Sequence, residues 1–174
     1  MTKRKIPPTR FPDAVAVTYQ RRLLKLVREM HRMTIREFDK AIKPQIQSYQ
    51  ADANELTAIQ KLLELIRSIT LNTFDDDTTE GIADDFVEGI NQFNKKNMND
   101  QAQVANVNPI DYEDWIEDYV KSRVKQNVKY IKSIPEKYHN SVETIVYEGV
   151  AKGSSIKEIR ELIVKQFHVS ESKA

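Results

Sequence analysis

Apolar residues recur at three- and four-residue steps along almost the whole chain, and that period decides the fold class. Tyr19, Leu23, Leu26, Val27, Met30, Ile35, Phe38 and Ile42 follow it. So do Leu56, Ile59, Leu62, Leu63, Ile66 and Ile69, and later Tyr119, Val120, Val124, Val128 and Ile131. Such spacing puts one apolar stripe on each helix, whereas a half-buried strand would need strict alternation, and no such run competes. Only 4 Gly and 6 Pro punctuate 174 residues, which suits long helices rather than a turn-rich β fold. The expectation is an all-α fold with about six helices. With no cysteine, disulfides and thiolate metal sites are excluded. No apolar run approaches the ~20 residues a membrane helix needs, so no membrane partner is expected.

Turn and cap signals divide the chain. Residues 1–12 are basic, hold three prolines and show no helical period, so a flexible basic arm is expected. An N-terminal helical bundle is expected over 13–98, starting with Asp13 as a cap. Met30 or Met33-Thr34 is the candidate break in its first helix, Pro44 interrupts, and Ala51-Asp52 opens the next helix. Asp75-Asp76-Asp77 fails as a calcium loop, because counting from Asp75 puts Gly81 seventh and Phe86 twelfth. Those residues are read instead as the cap of a helix containing Ile82, Phe86, Ile90 and Phe93. Residues 99–108 are amide-rich and aperiodic and are read as a linker. Asn108-Pro109 reopens helix for a C-terminal unit over 109–174.

Within that unit two helix starts are marked. Ser133 has Glu136 three residues on, with Pro135 in the first turn. Ser155 has Glu158 three on, and Gly153 before it suits a left-handed helix end. Val142, Ile145, Val146, Gly149 and Val150 share one face of the first helix. Ile156, Ile159, Leu162, Ile163 and Phe167 stripe the second.

The run from Ile131 to Ala174 resembles the phage head morphogenesis family, the Mu F-like minor head proteins. The resemblance rests on Ile131, Ile134 and Pro135, then Gly153 to Ser155, then Glu158, Ile159 and Ile163, then Val169 to Ala174, taken in order. Family members continue into an I-A-R-x-E/Q-like helix, so the resemblance implies a chain that holds the N-terminal portion of the family domain. It further implies a minor structural protein of a tailed-phage head, present in the virion head and in the host cytoplasm during assembly. The implied partners are the portal or major capsid protein, and the implied role is in procapsid assembly and in DNA packaging or delivery.

Charge is segregated. Residues 1–43 carry 12 Lys/Arg and 4 Asp/Glu (+8), 44–120 carry 4 and 16 (−12), and 121–174 carry 11 and 6 (+5). The candidate nucleic-acid-binding residues are Lys3, Arg4, Lys5 and Arg10 in the arm, with Arg21, Arg22, Lys25 and Arg28 on the first helix. A one-signed stripe attracts double-stranded DNA by releasing counterions from phosphates. It can equally pair with the acidic middle of the chain or of a neighbouring subunit. The alternative function is therefore a stand-alone helical nucleic-acid-binding module. His31, His139 and His168 are far apart in sequence and are read as surface residues. No HExxH, GxSxG, P-loop or GxGxxG pattern occurs. No enzymatic activity and no cofactor are expected.

Overall fold

A computed structural model describes residues 5–48, 53–108 and 114–171. The chain is all-α, and no strand occurs among the described residues. Helix α1 spans Asp13–Glu37 and runs through a π turn at Phe38–Ile42 into α2, Lys43–Ser48. Helix α3 is Ala53–Leu71, followed by a 3-10 turn at Asn72–Phe74. Helices α4, α5 and α6 are Asp76–Ala105, Asp114–Ala151 and Ile156–Glu171. The expected starts at Ala51-Asp52 and at Pro109 lie outside the described residues.

Helix α1 does not break at Met30 or Met33-Thr34. The Thr34 hydroxyl donates back to the Met30 carbonyl at 2.9 Å, which satisfies it within the helix. Nor does Pro44 stop the rod. Proline lacks the N–H that would continue the α ladder, and the chain widens by one residue just before it. The Lys43 N–H bonds the Phe38 carbonyl, five residues back. This keeps Phe38 and Ile42 in the core, at 1% and 0% exposure. Asp13 is the first helical residue rather than the cap, which is Pro12, so its carboxylate acts on the helix dipole alone.

The start of α4 is capped by a side chain. Asp75 accepts the Thr78 N–H at 2.7 Å and its hydroxyl at 3.0 Å, as the capping reading requires. Helix α4 then continues through 99–105, so the segment expected as a linker is helix. Its end comes at Asn106, whose φ of 57° is left-handed. There Val107 N–H bonds Ala102 O (3.0 Å) and Asn106 N–H bonds Gln103 O (3.3 Å). That paired closure needs no glycine, because Asn tolerates the αL region.

The largest departure is in α5. Ser133 and Pro135 start no helix; they lie inside one 38-residue rod. The Ser133 hydroxyl turns back to the Tyr130 carbonyl at 2.8 Å. An internal proline costs a helix about 3 kcal/mol. Here Pro135 is itself buried, and Ile131 and Tyr138 on either side are both 0% exposed. Packing on both flanks outweighs the missing hydrogen bond. The six expected helices thus become five rods among the described residues.

One core joins what the sequence divides. Val27 and Met30 of α1, Ile59 of α3, Val146 of α5 and Ile159 and Ile163 of α6 all fall to 0% exposure in a single cluster. The α5–α6 turn is tight. Gly153 takes φ 67°, Ser154 N–H bonds Gly149 O (2.8 Å) and Gly153 N–H bonds Val150 O (3.1 Å). The box beyond it closes reciprocally: Ser155 N–H to Glu158 Oε2 at 2.7 Å, and Glu158 N–H to Ser155 Oγ at 3.2 Å. Gly149 lets the two helices touch, since a Cβ there would stand 2.5 Å from Ile159 Cγ1. Gly149→Ala gains about 1 kcal/mol of helix propensity and loses about 1–3 kcal/mol to overpacking. A lowered thermal midpoint is the expected result, and a raised one would show that Ile159 moves aside.

Candidate nucleic-acid interface

The cationic face of α1 is real and points outward. Arg21, Lys25, Arg28 and Arg32 fall at four- and three-residue steps on the side opposite Leu23, Val27 and Met30. With Arg22 and Glu29 they line an open, shallow groove. From Arg21 to Arg32 it runs ~16 Å at 1.5 Å per residue.

Its charge is partly neutralised from within. Arg22 leans across to α4 and pairs with Asp85. Arg32 pairs with Glu29 one turn back, at 2.7 Å. Arg21 and Lys25 make no ion pair among the described residues. Pairing with the acidic middle of the chain is thus seen at Arg22, while Arg21 and Lys25 are exposed.

The arm and the helix do not form one patch. Lys3 and Arg4 lie outside the described residues. Lys5 and Arg10 are exposed, in a segment pinned to the far end of α4, where Gln101 Nε2 donates to the Pro7 carbonyl at 3.0 Å. Pro12 is buried at the junction. The helical residues from Asp13 to Arg21 alone put ~12 Å between Arg10 and the groove.

The histidines are not all surface residues. His139 is 5% exposed, and its Nε2–H donates to Thr70 Oγ1 at 2.6 Å. That direction follows from the Thr70 hydroxyl giving its own proton to the Ile66 carbonyl at 2.8 Å. His31 is half-buried, with Nδ1 2.8 Å from the Tyr138 hydroxyl and its ring stacked on Phe167 at 4.3 Å. Burial lowers both imidazoles to about 4, helped by Arg67 at His139 and by His168 and Arg160 at His31. Burial also raises the Tyr138 phenol. His139 was recognisable from its register, three residues before Val142 and seven before Val146. His31 carries no comparable mark, because it flanks the α1 stripe and is covered only when α6 docks.

Among the described residues, no group of three or more His, Asp or Glu side chains is placed to hold a metal ion. No helix there is long and apolar enough to cross a membrane. Compared with family models, curated proteins and solved structures, the chain matches none.

Proposed function

We propose that this chain is a minor structural protein of a tailed-phage head, acting in procapsid assembly through the portal or shell, with a role in DNA packaging or delivery and no catalytic step of its own. The observation that carries the reading is the ordered set of motif positions from Ile131 to Ala174. Two of them have a definite physical use: Gly153 supplies the left-handed turn and Ser155 the reciprocal cap. The α5–α6 hairpin they fix is the docking module, and the α1 groove is the face turned to DNA. The test is co-expression with a portal protein. Copurification at a fixed ratio is expected, and a portal that elutes without this chain would remove the reading.

The α1 groove favours a second reading, a stand-alone nucleic-acid-binding module. Arg21 and Lys25, with the cations beside them on α1, supply about three phosphate contacts, so log K should fall with log salt at a slope of roughly −3. Arg21→Glu with Lys25→Glu should abolish retention of duplex DNA at low salt. If the unaltered chain shows no retention there, the DNA role of the groove is wrong under either reading, while portal docking stands.

A further inference from the structure

The first half of α5 carries a surface that its own fold leaves outside. Tyr119 and Tyr130 are 50% and 59% exposed on one side of the helix. Between them the side chains are tied together. Arg123 lies over the Tyr119 ring at 4.8 Å and donates to Gln126 Oε1 at 2.8 Å, and Gln126 donates to the Tyr130 hydroxyl at 2.8 Å. Residues 119–135 hold five Lys/Arg and no acid. Exposed tyrosines and an arginine, held in place in advance, are the residue types that anchor interfaces. Lys121 and Lys132 are held by Glu117 and Asp76, which leaves Arg123, Lys125 and Lys129 to favour an acidic partner surface.

The same chain carries such a surface. From Asp75 to Asn94 there are seven acids and no Lys or Arg. Asp77, Glu80, Asp84 and Glu88 share one outward face of α4. Asp77, Glu80 and Asp84 have no ion-pair partner among the described residues. Asp85 and Asp76, on either side, are already held by Arg22 of α1 and Lys132 of α5. The ridge and the tyrosine face each run eleven residues, ~16 Å. Laid antiparallel, the tyrosine face steps by 4, 3 and 4 and the ridge by 4, 4 and 3, so only the Gln126–Glu80 pairing is offset, by one residue. Within one molecule they cannot meet, because α4 packs on the opposite side of α5, along Val124, Val128 and Lys132.

We propose that the Tyr119–Arg123–Gln126–Tyr130 face of one molecule docks on the Asp77–Glu80–Asp84–Glu88 ridge of a second copy. The two surfaces differ, so the contact is heterologous and each molecule offers one of each. Three turns of helix make a small interface, which places the association in the weak, salt-sensitive class. The inference stands apart from the phage-head reading and does not use it.

Sedimentation of the whole chain tests it. At about 50 mM salt the mass should rise with protein concentration, and at about 500 mM it should return to that of one chain. Arg123→Glu alone and Asp84→Lys alone should each be monomeric, with unchanged thermal melts, since both side chains are exposed. Mixed together, the two variants should form a one-to-one pair that does not extend, because each retains the surface the other has lost. A wild-type chain that stays monomeric at low salt overturns the proposal, as does self-association that neither substitution weakens. So does a monomer that retains single-stranded oligonucleotide and loses it on Arg123→Glu, which would assign the tyrosine face to nucleic acid.

Discussion

Acidification from pH 7 to pH 4 is expected to destabilise the fold steeply, with most of the loss between pH 6.5 and 4. His31 and His139 titrate near 6.5 when unfolded and near 4 in the fold. Across that window the unfolded chain binds more protons, so stability rises with pH through it and is fully present above it. For His139, 5% exposed, the shift corresponds to about 3 kcal/mol at 1.36 kcal/mol per unit. His31 adds less, because it is only half-buried. Against a typical total of about 5–15 kcal/mol this is a large share. The measurement is a urea midpoint at each pH. His139→Gln keeps an N–H donor for Thr70 and cannot take a charge, so it should flatten the slope between pH 6.5 and 4. If that variant loses stability as steeply as the parent, the titrating group lies elsewhere.

The second large effect is Val146→Asp. Val146 is 0% exposed in the joint core, in the α5 stripe that faces α6. A carboxylate there has no partner and must either stay charged in a dry site or take up a proton. The expected cost is above about 4 kcal/mol, the range reserved for buried unpaired charge. Val146→Ala removes only methyl groups and should cost about 1–3 kcal/mol. An Asp variant that melts like the parent would mean that α6 does not cover Val146 in solution.

The two results concern the same region, where sequence reading succeeded and failed side by side. Ser155 with Glu158 and Gly153 were legible because a capping box and a left-handed turn are local. Every group they need lies within a few residues. Asp75 was legible for the same reason. Ser133 and Pro135 carry an equally good local signature, yet the helix runs straight through them. What overrides it is the burial of Ile131, Pro135 and Tyr138 against other helices, which no window of sequence contains. The aperiodic segment 99–105 was misread for a simpler reason: it lies at the exposed end of α4, where few apolar residues are required to stay helical. At the cationic face of α1 the sequence located the residues correctly. It could not say that Arg22 is already engaged, since Asp85 lies 63 residues away; the Arg32–Glu29 pair, three residues apart, was within its reach.

The contacts between α1 and α6 bear on how the chain reaches this state. Arg160 reaches Asp39 at 3.1 Å, and Phe167 covers His31, so the last described helix closes over the first. The neighbouring pairs α4–α5 and α5–α6 need only short loops, and such local hairpins form early. Closure of α6 over α1 spans more than 120 residues, and its chain-entropy cost must be met before any of its contacts form. During synthesis α1 emerges more than 100 residues ahead of α6. Until then α3 and α4 can pack on α1, but the part of its apolar side that α6 covers stays open. That interval, rather than the finished fold, is when this chain is most exposed to aggregation or to capture by a chaperone.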